Sequence, residues 1–292
     1  MAAPVHTAAE MRSAHPKAIS TERRLIVNAD DFGRSHSINE AVLRAHRSGI
    51  LTTASLMVNE PSAAEAVEMA RDNPNLGVGL HLTLTCGKSA LPHREIPNLV
   101  DENGEFSNDP VAVGWRYFAS RKLRPQLRDE IQAQFEKFHA TGLTLDHVNG
   151  HLNLHLHPVI FSLLMENAGR WKIRAMRLTR DPFRLNAKLA NGNWAYRTSH
   201  ALIFTILSQR ARPRLLGGGI SHTRSVFGLL QNGKVDTAYV HALLPRLPAG
   251  DSELYSHPSL DQFKAELEAL TDSSIKNLVG QLRIRLIRYQ DL

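Results

Sequence analysis

Short β-like runs alternate with amphipathic helical stretches along most of this 292-residue chain, and that alternation constrains the fold more than any other feature. Strands separated by helices pair in parallel, because a helix is long enough to return the chain to the same end of the sheet. The β-like runs are 24–28, 51–58, 78–84, 143–148, 173–178, 215–220, 253–256 and 283–289. Helical periodicity covers 38–47, 63–71, 126–140, 158–168, 199–210, 235–244 and 260–270. Length alone fits one large barrel as well as two smaller domains; the alternation favours a (β/α) barrel.

Composition narrows the setting. The one cysteine, Cys86, excludes an intramolecular disulfide framework, so it is expected to be a buried structural thiol in a reducing compartment. The first twenty residues lack the apolar stretch of a signal peptide or anchor and read as a disordered lead-in over 1–22. No later run approaches the ~18–20 apolar residues of a membrane span, so a soluble, cytoplasmic protein is expected. The formal net charge is +7, with basic residues gathered in 116–128, 170–184 and 210–214. None of these stretches carries a nucleic-acid motif, so no nucleic-acid partner is expected. The excess reads as solvated surface or as contact with an anionic membrane or acidic substrate.

Two local features place the chemistry. Ser37 and Glu40 have the spacing of a capping box and predict a helix start, which puts Asp30, Asp31, Phe32 and Gly33 in a strand-to-helix loop. In (β/α) barrels that loop lies on the catalytic face. The segment 88–122 reads as a long excursion with prolines and little periodicity, of the kind that forms functional covers or disordered loops.

Leu25, Ile26 and Val27 form a buried-strand triplet that runs into Asn28-Ala29-Asp30-Asp31-Phe32-Gly33. Adjacent carboxylates at a strand end point to opposite faces and repel when desolvated, unless the chain turns so that both reach one cavity. One could then ligate a metal while its neighbour takes up a proton; exposed acids at a helix entry are the plainer alternative. In Gly79-Leu80-His81-Leu82-Thr83-Leu84-Thr85, alternation sets His81 on the polar side of a strand. Taken alone, such a histidine is more often a hydrogen-bonded core residue than a ligand.

From 147 to 157, His147, Asn149, His151, Asn153, His155 and His157 fall on alternate positions with aliphatics between them. An extended chain would put all of them on one face, looking into water, a metal site or a substrate cleft. Extended, His151 and His155 would lie about 13 Å apart, too far to share an ion whose ligands sit within roughly 3–4 Å of one another. One metal ligand is therefore expected from this stretch. Downstream, Glu253-Leu254-Tyr255-Ser256-His257-Pro258 ends a short strand with a histidine placed for an acid at a barrel mouth, or for a simple turn. Arg177 could orient a carboxylate through its guanidinium fork.

These motifs, taken together in order with the closing run 284–289, resemble the YdjC-like family, which includes the chitooligosaccharide deacetylases. The resemblance covers about residues 24–292. It implies an irregular, TIM-like (β/α) barrel, here a single domain over 23–292, and one divalent ion, zinc or magnesium, held by an aspartate and two histidines. By position these look like Asp31, His81 and His151, with Asp30 as base, His257 as acid, and His155 and Arg177 toward the substrate or Asp30. Leu152 and Asn153 stand where the family often has histidines. The 149–151 variant, the basic excursion and the glycines at 217–219 look more like the hopanoid-biosynthesis-associated branch, HpnK.

The resemblance implies hydrolysis of an N-acetylated amino sugar or glycolipid, with peripheral contact to the inner membrane and a homodimer as further expectations. A nucleophilic-serine hydrolase is disfavoured because no G-x-S-x-G elbow is present. Two rivals remain: a metal-independent glycosidase working through two carboxylates, and a catalytically silent carbohydrate- or lipid-binding barrel.

Overall fold

A computed structural model describes residues 22–189 and 192–292, so the lead-in expected over 1–22 lies, apart from Glu22, outside the described residues. The strands are β1 (Arg23–Phe32), β2 (Thr53–Leu56), β3 (Gly77–Leu82), β4 (Leu145–Gly150), β5 (Ser225–Phe227), β6 (Gly250–Ser256) and β7 (Arg285–Leu286). They form one parallel sheet in the order β4, β3, β2, β1, β6, β5. Strand β6 lies along Arg23–Ala29 of β1, while β7 pairs with Arg24 and Leu25 and β2 with Asn28 to Phe32. The long first strand is thus the axis of the sheet, and its Leu25, Ile26 and Val27 are fully buried.

The helices are α1 (His36–Ser48), α2 (Ala63–Arg71), α3 (Pro110–Ala119), α4 (Arg124–Ala140), α5 (Pro158–Asn167), α6 (Phe183–Leu189), α7 (Trp194–Gly217), α8 (Thr237–Leu243), α9 (Lys264–Thr271) and α10 (Ser273–Gln281). The sheet curls because an irregular segment bridges its open ends. Val148 N–H donates to the Ala175 carbonyl and Arg177 N–H to that of Val148, both at 3.0 Å. On the other side, Ser221 N–H donates to Arg174 at 2.8 Å and Val226 N–H to Arg180 at 3.0 Å. The strand expected over 173–178 is therefore present only as isolated bridges, yet these carry the ring from β4 toward β5. The result is a single-domain α/β fold, an irregular barrel ringed by helices.

Three local expectations are corrected. The run 215–220 is no strand: Leu215 is buried on the last turn of α7, and the Gly218 N–H closes that turn on the Arg214 carbonyl at 3.0 Å. Its glycines end a helix, and pairing begins only at Ser221. Helix α1 starts two residues earlier than the Ser37–Glu40 box implies, with Ser35 as N-cap accepting from Ile38 N–H at 3.3 Å; Ser37 Oγ instead accepts from Leu260 N–H. Cys86 is half-buried rather than buried.

The excursion is ordered. Helix α3 sits inside it, capped by Asp109, whose carboxylate accepts from Val111 and Ala112 N–H ahead of Pro110 at the first helical position. Buried Glu130 on α4 accepts the N–H groups of Ala90 and Leu91 at 2.7 and 2.9 Å. Its neighbour Gln134 exchanges two hydrogen bonds with the Thr83 backbone just past β3. One helix therefore fastens both the excursion and the strand end that carries His81.

Candidate metal centre

The ends of β1, β3 and β4 converge at the mouth. Pairing of β1 with β2 slips between Ala29 and Phe32, and Asp31 takes a left-handed backbone (φ 64) before Gly33 (φ 92). This local turn overrides the strand alternation that would separate neighbouring carboxylates, so Asp30 and Asp31 both face the same buried centre. Asp31 Oδ1 lies 3.0 Å from His151 Nδ1 and 3.3 Å from His81 Nε2, and the three donor atoms fall within 4.8 Å of one another.

That donor set fits a divalent ion. One carboxylate oxygen and two imidazole nitrogens are the ligands of a catalytic zinc, which leaves a coordination position open. The tautomer fits as well. Asn149 uses its amide nitrogen on Asp30 (3.1 Å) and Ser55 (2.9 Å), so its oxygen faces His81 Nδ1 at 2.7 Å and accepts that N–H. The lone pair of His81 is then on Nε2, the atom turned toward Asp31. Arg34, 3.0 Å from Asp31 Oδ2, occupies the other carboxylate oxygen.

Asp30 sits behind this trio in a fixed cradle. Arg177 grips it bidentately, Nη1 to Oδ2 at 2.7 Å and Nη2 to Oδ1 at 2.9 Å. Asn28 and Asn149 also donate to Oδ1, which saturates that oxygen, whereas among the described residues Oδ2 has Arg177 as its one hydrogen-bond donor and keeps a lone-pair direction. Burial pushes the Asp30 carboxyl up, but Arg177 and His81 outweigh it and hold the group well below the usual carboxylate range. Burial likewise pushes Asp31 up, and His151 and His81 more than reverse it. Burial pushes His81 down, and the two aspartates beside it win, so its imidazole is held above its ordinary value.

Arg177 is itself clamped from behind, by Glu253 at 2.7 Å, with Tyr289 donating its hydroxyl to the far oxygen of Glu253. Its guanidinium carbon lies 4.2 Å from the centre of the Tyr255 ring. His155 Nε2–H donates to the Arg177 carbonyl at 3.0 Å. His155 and Arg177 are both wholly buried, and desolvation pushes His155 down to about 3, so it is a neutral residue that holds the bridging segment. Of the two roles expected for them, toward the substrate or toward Asp30, the hydrogen bonds place Arg177 on Asp30 and His155 on the Arg177 carbonyl.

The extended reading of 147–157 holds only to Gly150. There the chain turns into a short 3-10 segment (His151–Leu156), with Leu152 (φ 53) and Asn153 (φ 58) left-handed. The turn keeps His151 at the centre and sends His155 away, so this stretch contributes one member of the trio. His147 belongs to the wall: it bridges Ser55 (2.9 Å) and Asp146 (2.9 Å) and stacks on Tyr289 at 4.4 Å. Gly79 makes this possible, since a Cβ there would sit 2.5 Å from the His147 ring. His257, just past β6, is half-buried, with its N–H fixed by Glu266 and its ring 5.9 Å from that of Tyr255.

Sequence reasoning missed Asn28, Ser55, Glu253 and Tyr289 as parts of the site. Asn28 carried a visible signal, two residues before Asp30 and so on the same strand face. The other three lie on separate segments and could be joined to the site only in three dimensions.

A sequence model of the YdjC-like protein family matches residues 24–281. A carbohydrate deacetylase from Geobacillus stearothermophilus is 32% identical over 274 residues, covering 92% of this chain and 98% of that one. A carbohydrate deacetylase from Brevibacillus brevis is 38% identical over 150 residues, 51% of this chain and 57% of its own length. Among solved structures, a candidate cellobiose-phosphate cleavage protein from Enterococcus faecalis V583 superposes with a TM-score of 0.72 at 22% identity, covering 92% of this chain and 98% of that one, and so shares the fold. With its motifs set around one buried centre and the family match running from the first strand into the last helix, the chain belongs to the YdjC-like family.

Proposed function

We propose that this protein is a metal-dependent hydrolase that removes the acetyl group from an N-acetylated amino sugar. The observation that carries the reading is the buried trio of Asp31, His81 and His151 beside Asp30, which Arg177 grips bidentately. The full-length likeness to a carbohydrate deacetylase supports the substrate class. A divalent ion bound by the trio would supply Lewis acidity, lowering the pKa of water and polarising the acetamide carbonyl.

The protein's own groups do the rest. Arg177, Asn28 and Asn149 hold Asp30 rigid and charged, so that its free Oδ2 lone pair receives the proton of the attacking water. His257, at the rim and anchored through Glu266, delivers a proton to the departing amine. Zinc suits two histidines and a carboxylate; reconstitution of stripped protein with zinc or magnesium decides between them. A two-carboxylate glycosidase needs one carboxyl protonated near neutrality, and both Asp30 and Asp31 are held below their ordinary range. The reading places the enzyme in the cytoplasm, where Cys86 stays reduced. The hopanoid-associated branch narrows the substrate to an N-acetylglucosaminyl lipid.

Acetate release from a panel of N-acetylglucosaminyl compounds, soluble and lipid-linked, tests this. Asp30→Asn is expected to lower turnover about 10²–10⁴-fold, the range of a lost general base, and a chelator to abolish it. Undiminished turnover in Asp30→Asn and His151→Ala would reject the mechanism.

A further inference from the structure

The positive charge of this chain is not spread over it. Residues 182–235 contain no aspartate or glutamate and eight basic residues, Arg184, Lys188, Arg197, Arg210, Arg212, Arg214, Arg224 and Lys234. Removing these from the 35 lysines and arginines leaves 27 against 28 acidic residues, so the rest of the chain is formally −1, its basic runs 116–128 and 170–180 being offset by acidic residues elsewhere. All eight except Arg197 are exposed.

The same segment carries an outward apolar stripe. On α7, Leu202, Ile203 and Ile206 are 64%, 50% and 41% exposed, while Ala201, Ser208, Ala211 and Leu215 face inward. Arg210 continues the stripe one turn after Ile206. A helix with one buried face and a second apolar face edged by arginines has the composition of an interfacial helix. Its first half lies at the mouth, because Ala201 and Phe204 pack with Tyr255, the residue beneath which Arg177 holds Asp30.

We propose that the outer face of α7 docks the protein on an anionic lipid surface, with the barrel mouth at that surface. Charge complementarity selects this occupant. A two-fold dimer through the same face would set the basic stripe against itself, and like charges brought together and desolvated repel. An anionic bilayer instead offers acyl chains to Leu202, Ile203 and Ile206 and phosphates to the arginines. The inference goes beyond the proposed reaction and does not need it; the two fail separately, since acetate release from a soluble chito-oligosaccharide requires no membrane.

The test is co-sedimentation of the full chain with vesicles of phosphatidylcholine alone and of an equal mixture of phosphatidylcholine and phosphatidylglycerol. The parent should bind the mixed vesicles and not the neutral ones, with binding weakening as salt is added. Arg210→Gln with Arg212→Gln should reduce partitioning roughly thirtyfold. Leu202→Ser with Ile206→Ser should reduce it at least about tenfold. Both variants should keep the parent's melting temperature and its activity on a soluble substrate. Absence of vesicle binding by the parent, equal binding to neutral vesicles, or binding untouched by either variant overturns the proposal. So does a parent that dimerises in solution through this face, with the apolar variant monomeric and no lipid bound by either.

Discussion

The wall formed by β1 to β4 and the arc from 173 to 235 close the same barrel by opposite means. In the wall, continuous parallel pairing fixes each backbone, and the polar side chains partner one another across strands: Asn28 with Thr53 and Ser55, Ser55 with His147 and Asn149, Asn149 with His81. In the arc, isolated bridges and the three-residue β5 take the place of long strands, and a 24-residue helix turns apolar side chains outward. Asp31, His81 and His151 stand on or directly after continuous strands, where the backbone leaves little freedom. The arc supplies Arg177, and it is held in place by charge: the guanidinium is locked between Asp30 and Glu253.

Arg177→Met breaks the comparison most severely. It would leave two buried carboxylates without their cation, and losing one partner of a buried pair costs about 3–5 kcal/mol. Thermal unfolding should show the loss directly, and a variant as stable as the parent would mean that backbone bridges alone hold the arc. Gly79→Ala probes the wall. A methyl group 2.5 Å from the His147 ring must displace it from Ser55, with an expected loss of about 1–3 kcal/mol in chemical denaturation.

Buried Asp181, within the arc, is pushed up to about 7 by desolvation, against the hydrogen bonds from Leu230 and Asn186. Because its folded pKa is raised, its contribution to stability is full below the ordinary value of 3.8 and is lost as pH rises toward about 7. Melting temperatures across that window should therefore fall less steeply for Asp181→Asn than for the parent; parallel curves would contradict it. The smallest effect belongs to the outer face of α7, where Ile203→Ser should change stability by no more than about 0.5 kcal/mol. A larger loss would show that this face is covered in the isolated protein.

The wall was legible in the sequence for the same reason that it is rigid. Leu25-Ile26-Val27 ahead of Asp30, the alternation around His81 and the polar face from His147 are strand-period patterns, and the fold keeps them as β1, β3 and β4. The arc was legible only in part: the helix expected over 199–210 lies inside α7, and the run 173–178 survives as bridges. Leu215-Leu216 before three glycines has the local look of a buried strand, but it ends α7, and β5 is only three residues long, too short to show a period. Helix α3 escaped because Val111, Trp115 and Phe118 point outward and blur the inward pair Val113 and Tyr117; Asp109-Pro110 was the signal that could have found it. The turn after Gly150 was hidden because Leu152 adopts a left-handed backbone that its residue type does not announce; Asn153 beside it was the weaker signal.

Asp31, His81 and His151 are proposed to act as one ligand set. Titration of stripped protein with zinc, followed by calorimetry and by the melting temperature, tests that directly. The parent should bind one ion per chain and gain about 2.7 kcal/mol of stability at a hundredfold excess over Kd, while Asp31→Ala, His81→Ala and His151→Ala should each lose the binding and the gain together. Undiminished binding in any two of these variants would contradict it.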